Sequence, residues 1–156
     1  MLQMTVLMVG KTREGFIQEG LDFYRKRLLP LARLTLRSVR EEKEAGGLTP
    51  ETIKMKEGQR LRTQMPPRAW VTALTPAGRE FTSEEFAAWL SKQQELARPL
   101  AFLLGGHWGL ADALLAAADE RLSLSRLTMT HELARLLLLE QLYRALTLKL
   151  GHPYHV

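Results

Sequence analysis

The residues of this 156-residue chain whose types suit chemistry gather in its last third. Gly105-Gly106-His107-Trp108-Gly109 follows the apolar run Leu100 to Leu104, His131 follows Thr130, and the chain closes on His152-Pro153-Tyr154-His155-Val156. A GGxxG loop lets the backbone take positive φ and come close to a ligand, although the same glycines could serve only a tight strand-to-helix turn. The loop is not the GxGxxG of dinucleotide folds, and no GKS or GKT accompanies it, which speaks against hydrolysis of nucleoside triphosphates. His131 opens a helix, where the macrodipole disfavours a protonated ring and favours a neutral imidazole that hydrogen-bonds or accepts a proton. A capping or packing histidine fits that position equally. His152 and His155 have no cysteine or nearby carboxylate to complete a metal shell, and Pro153 restricts their geometry, so no metal is expected. With no cysteine anywhere, disulfides, thiolate metal sites and thiol nucleophiles are excluded.

These residues need strands and helices to hold them. Leu2 to Val9 reads as a buried strand, Glu14 to Leu29 as an amphipathic helix stopped by Pro30, and Arg33 to Val39 as a strand near a sheet edge. Thr49 caps a helix that starts at Pro50 and ends near Gln64. Ala69 to Leu74 is a third strand, closed by the turn Thr75-Pro76-Ala77-Gly78. Thr82 and Glu85 form a capping box for a helix running toward Pro99. Leu100 to Leu104 has strand length, Leu110 to Ala118 reads as a short helix, Leu122 to Met129 as an alternating segment, and Thr130 caps a long helix to about Leu150. Strands and helices alternate five times, the pattern of one α/β domain over residues 1–156 with a mainly parallel sheet and helices on both faces. In such sheets ligands lie beyond the carboxyl ends of the strands, which singles out the loops Leu74–Gly78, Gly105–Gly109 and Leu124–His131.

The formal charge of +5 is uneven. Lys11, Arg13, Arg25, Lys26, Arg27, Arg33, Arg37 and Arg40 face only Glu14, Glu19 and Asp22, which suits a phosphate-facing surface; an ordinary solvated helix face reads the same way. Leu136 to Leu139 point in four directions around the last helix, so either a homodimer or packing within the chain's own layers must cover it. The longest apolar stretch falls far short of the ~20 residues of a membrane span. No signal peptide is evident, and a soluble, cytoplasmic protein without membrane partners is expected.

Four ordered motifs resemble the ribosomal RNA large subunit methyltransferase H family: Leu103-Leu104-Gly105-Gly106-x-x-Gly109-Leu110, Leu122-Ser123-Leu124-Ser125 with Leu127-Thr128-Met129-Thr130-His131, Glu140-Gln141-Leu142-Tyr143-Arg144-Ala145, and His152-Pro153-Tyr154-His155. The resemblance spans essentially the whole chain, including Tyr24-Arg25-Lys26-Arg27. It implies a SPOUT-class enzyme with a C-terminal trefoil knot, an obligate homodimer, and transfer of a methyl group from S-adenosylmethionine to N3 of a pseudouridine in 23S rRNA on the assembled ribosome. Carried over by position, Leu74, Gly105, Gly106, Leu124, Ser125, Arg126, Leu127, Thr128 and Met129 would hold the cofactor. His131, Arg144, Tyr154 and His155 would surround the base, with the proton acceptor among them left open, and Lys11, Arg13, Arg25, Lys26 and Arg27 would meet the RNA. His107-Trp108 and the terminal Val156 depart from the family pattern, the latter where a basic residue commonly stands. A flavodoxin-like nucleotide binder or a non-catalytic rRNA-binding module would share the alternating pattern and the basic face.

Overall fold

Apolar side chains on both faces of the first strand place it in the middle of the molecule. The computed structural model describes residues 1–156. Strand β1 (Leu2–Val9) turns Met4, Val6 and Met8 to one core and Leu7 and Val9 to another, the period-two signature of a strand buried on both sides. It pairs in parallel with β2 (Ala32–Val39) and with β4 (Leu100–Leu103). Strand β3 (Trp70–Arg79) joins β4, and β5 (Glu120–Leu122) joins β3, also in parallel. The sheet order is β2-β1-β4-β3-β5, with β2 at an edge, where Arg33 and Arg37 are exposed.

Helices α1 (Gly15–Leu28), α3 (Ser83–Glu95) and α5 (His131–Lys149) pack into the larger core on one face. Helices α2 (Pro50–Thr63) and α4 (Asp112–Ala117) cover the other through Leu61 and Leu114. The α/β arrangement expected from the alternation is the one observed. The helix starts follow their sequence signals: Thr49 Oγ1 accepts from Thr52 N–H at 3.2 Å, Thr82 and Glu85 complete their capping box, and Thr130 Oγ1 accepts from Leu133 N–H at 3.2 Å.

Two expectations are corrected. Strand β3 does not close at Leu74; it runs to Arg79, and the expected turn residues lie within it. Leu74 and Arg79 both register with Leu122, so residues 75–78 bulge between two contacts to one partner. Pro76 has no N–H for a ladder, and Gly78 lies so close to β5 that a Cβ would stand 2.7 Å from the Arg121 carbonyl carbon. The expected alternating segment Leu122–Met129 is strand only to Leu122. Beyond it, Ser125 Oγ takes the N–H of Leu127 at 3.0 Å, a local bond that competes with sheet pairing. Of the two covers left open for α5, the chain's own layers supply a large part. The helix lies between α1 and α3: Leu138, Leu139 and Leu142 are buried in the core, Leu136 packs on Gly20 of α1, and Leu137 shares a small crevice with Phe86 of α3.

Candidate active site

The bulge of β3, the carboxyl end of β4 and the loop after β5 open into one cleft of about 810 Å³. Its walls are Leu74–Pro76, Leu104–Gly109, and Leu124, Ser125 and Leu127–His131, with Glu14 and Glu132 at the side. The three segments singled out from strand order thus converge, although the first of them is a bulged part of β3 and not a loop. Of the nine residues proposed to hold a cofactor, eight line this cleft. Arg126 does not: its side chain is 85% exposed and pairs with Glu80 at 3.4 Å.

The glycines are needed by the turn and by the wall together. Gly109 N–H donates to Gly106 O at 3.1 Å, Gly109 has φ +85°, and a Cβ on Gly105 would overlap the Gly109 carbonyl. Behind the loop, Gly106 rests against Val9 and the buried Glu57, whose Oε2 accepts the N–H of Glu42 at 3.0 Å while Oε1 has no partner. Burial pushes the Glu57 carboxyl above its ordinary range. At the rim, Trp108 Nε1 donates to Glu44 Oε1 at 2.7 Å and so ties the glycine loop to residues 41–49. His107 meets the Trp108 ring edge to face, with centroids 4.9 Å apart.

His131 sits in the first turn of α5, half-buried in the cleft. Burial, and then the positive charge of Arg135, hold its pKa below the ordinary 6.5, so the ring is neutral at neutral pH, with a lone pair free to accept a proton. Two residues that sequence patterns did not single out hold this turn. Glu132 Oε1 accepts the N–H of Arg13 at 2.9 Å and of Glu14 at 3.0 Å, supplying partners for unpaired N–H groups at the start of α1. Burial acts to raise the Glu132 carboxyl, but those two N–H donors and the charge of Arg135 together outweigh it and hold it below its ordinary range. Arg135 is 1% exposed and donates to Val9 O, Gly10 O and Thr12 Oγ1. The available signal was a pair of opposite charges in the opening of an otherwise leucine-rich helix.

Arg144, Tyr154 and His155 do not join His131 within the chain. Thirteen residue steps of helix lead from His131 to Arg144, about 20 Å along the axis. The three form a second cluster around Glu140. Arg144 donates to Glu140 Oε1 through Nε at 3.1 Å and Nη2 at 2.6 Å, and Tyr154 donates to the same oxygen at 3.1 Å. His155 Nδ1 faces Arg144 Nη1 at 3.2 Å and its Nε2 faces Glu84 at 3.4 Å. Since arginine only donates, that Nδ1 carries a lone pair. Burial, then hydrogen bonds to Tyr24 and Glu140, hold the Tyr154 phenol far above its ordinary pKa, so it keeps its proton.

The basic candidates divide the same way. Lys11 and the exposed Arg13, which pairs with Glu41, lie on the turn beside the cleft. Arg25, Lys26 and Arg27 occupy the last turn of α1, next to Tyr24, whose hydroxyl lies 3.2 Å from that of Tyr154. No group of three or more His, Cys, Asp or Glu side chains is placed to hold a metal ion, and no helix is long and apolar enough to cross a membrane.

The chain matches the family described as "Predicted SPOUT methyltransferase" over residues 2–155. It is 40% identical to the ribosomal RNA large subunit methyltransferase H of Carboxydothermus hydrogenoformans over 158 residues, covering 99% of each chain. It is 40% identical to the protein of that name from Geobacter metallireducens over 155 residues, again covering 99% of each. Its fold is similar to that of a probable methyltransferase from Bordetella pertussis Tohama I, with a TM-score of 0.59 at 15% identity over 93% of this chain and 95% of that one. A probable methylase family protein from Haemophilus influenzae shares the fold with a TM-score of 0.54 at 13% identity, over 100% of this chain and 72% of that one.

Proposed function

This chain belongs to the ribosomal RNA large subunit methyltransferase H family of SPOUT methyltransferases, and we propose that it methylates N3 of a pseudouridine in 23S rRNA on the assembled ribosome, with S-adenosylmethionine as donor. The observation that carries this reading is the cleft of about 810 Å³, walled by Leu74, the Gly105–Gly109 turn, Leu124, Ser125 and Leu127–Met129. Its volume and its apolar side chains beside a backbone-rich glycine turn suit a cofactor of nucleoside size. When bound there, S-adenosylmethionine supplies a methyl group on a positively charged sulfur. Leu74, Leu124, Leu127 and Met129 would enclose its heteroaromatic ring, and backbone groups of Gly105, Gly106, Ser125 and Thr128 would hydrogen-bond its polar edges.

Methyl transfer to a ring nitrogen needs the nitrogen in line with the methyl group and free of its proton. His131 is the proton acceptor in this reading: it lines the cleft and is neutral at neutral pH. Tyr154 is a poor acceptor because it holds its own proton, and His155 has both ring nitrogens facing Arg144 and Glu84. Arg144 stabilises negative charge that develops on the carbonyl oxygens flanking N3. No thiolate is involved, in keeping with a chain without cysteine.

The cleft and the Arg144–Tyr154–His155 cluster lie about 20 Å apart on one helix, too far to act on one base. A two-fold homodimer that sets the tail cluster of one chain against the cleft of the other resolves this separation. Exposed Phe16, Phe23 and Leu133, with half-buried Leu136, offer it an apolar face on α1 and α5. In the same reading the C-terminal part of the chain forms a trefoil knot, and the enzyme works in the cytoplasm, where ribosomes are. Arg25, Lys26 and Arg27 of one chain then stand near the cleft of its partner, with Lys11 and Arg13, to meet phosphates.

The test is methyl transfer from labelled S-adenosylmethionine to assembled ribosomes, to free 23S rRNA, and to ribosomes carrying uridine at the target. Transfer to pseudouridine-containing ribosomes alone is expected. A chain lacking residues 152–156 should bind the cofactor and transfer nothing; an active truncated enzyme would refute the tail's role.

A further inference from the structure

We infer that Glu140 is a positioning residue, holding Arg144 and the C-terminal tail in the arrangement that the reaction uses. An i,i+4 Glu–Arg pair on an exposed helix contributes only a few tenths of a kcal/mol and leaves the guanidinium mobile. This pair differs in three respects. Both side chains are largely buried, at 15% and 24% exposure. The guanidinium is engaged on one edge by two bonds to the same carboxylate oxygen, at 3.1 and 2.6 Å, and its carbon lies 4.9 Å from the centre of the Tyr154 ring. The same oxygen also accepts from the Tyr154 hydroxyl, so one carboxylate joins α5 to the tail, and Tyr154 joins the tail to Tyr24 of α1.

The other carboxylate oxygen is held by Gln141 Nε2 at 2.6 Å, which leaves Glu140 little freedom to rotate. Of the five guanidinium N–H groups, Nε and one on Nη2 serve Glu140, and one on Nη1 serves His155. One N–H remains on each of Nη1 and Nη2, a ready pair of donors for an external oxygen. Glu140 therefore settles the plane of the guanidinium before substrate arrives, and takes the single Tyr154 hydroxyl proton, which leaves the Tyr154 oxygen to accept from Tyr24. The acidic partner also offsets the charge of Arg144 in its half-buried place.

This inference rests on the proposed role of Arg144, and the test separates the two. Glu140→Ala, Glu140→Gln, Arg144→Ala and the double variant Glu140→Ala/Arg144→Ala are compared in turnover on ribosomes and in calorimetric binding of S-adenosylmethionine, which also reports folding. Glu140→Ala should lower kcat about 100-fold, the scale of a misplaced catalytic group, with the KM for ribosomes and the Kd for cofactor little changed. Glu140→Gln, whose amide oxygen still accepts from Arg144 and Tyr154, should recover most of that loss. The double variant should be no slower than Arg144→Ala, because residues acting through one another are not additive. Wild-type kcat in Glu140→Ala, no recovery in a folded Glu140→Gln, or multiplying losses in the double variant would each overturn the inference. Full activity in Arg144→Ala would overturn the reading beneath it, and the inference too.

Discussion

Arg135 Nη2 donates to the carbonyl oxygen of Gly10 at 2.9 Å, joining the opening turns of α5 to the end of β1. The guanidinium is almost wholly buried and also serves Val9 O and Thr12 Oγ1. Removing it strands buried main-chain acceptors, at about 1–3 kcal/mol each. Arg135→Met should therefore lose about 3 kcal/mol or more in urea unfolding. Arg135→Lys should fall between, since lysine keeps the charge without the planar fork.

The neutral state of His131 has consequences for pH. Its folded pKa lies below the ordinary 6.5, so the native state resists the proton that the unfolded chain accepts. Its contribution to stability is present above 6.5 and is lost as pH falls through the folded value. Turnover should be flat through neutral pH and decline on the acid side, with an apparent pKa below 6.5 that NMR titration of the ring reproduces. His131→Asn should remove that decline and lower kcat by about 100-fold or more.

Gly105 has no room for a side chain, because a Cβ would overlap the Gly109 carbonyl. Gly105→Ala must open the turn that forms one wall of the cleft. Calorimetry should show a loss of at least about tenfold in affinity for S-adenosylmethionine, the effect of about 1.4 kcal/mol. Circular dichroism should remain that of the folded chain.

Exposed Lys11, Arg25 and Lys26 make no ion pair that would compete with phosphate. Replacing all three with Gln should weaken ribosome binding and reduce the slope of log K against log salt by about 2 to 3. Cofactor affinity should not follow salt in this way. An unchanged slope would place the RNA elsewhere on the surface.

Glu57 is the opposite case to Glu132. Its folded pKa is raised by burial, so the native state binds its proton more tightly than the unfolded chain does. Stability is lost as pH rises from about 4.5, the ordinary value, through the folded pKa. Glu57→Gln should remove this loss, giving a flatter curve of Tm against pH from 4.5 upward.

Local signals carried much of this fold. Thr49, Thr82 and Thr130 cap the helices they were expected to cap, because an N-cap needs only a side-chain oxygen and an N–H three residues away. The alternation of strands and helices was also legible, as was the convergence of three segments at one edge of the sheet. The run 75–78 misled, since threonine, proline and glycine mark turns equally when they mark a bulge. Glu132, Arg135 and Glu140 were missed as site-forming residues because their partners lie at positions 9 to 14, on a residue one turn along the helix, and on the tail.

What the sequence determined by itself was the α/β class, the helix starts after Thr49, Thr82 and Thr130, the chemistry closed to a chain without cysteine, and, through four ordered motifs, the family. Only the tertiary structure decided that His131 and Arg144 occupy separate clusters, that Arg126 points away from the cleft, and that α5 is covered from both sides by its own chain. Periodicity and capping depend on neighbours a few residues apart, whereas those outcomes depend on contacts between segments up to 130 residues apart, such as Tyr24 with Tyr154.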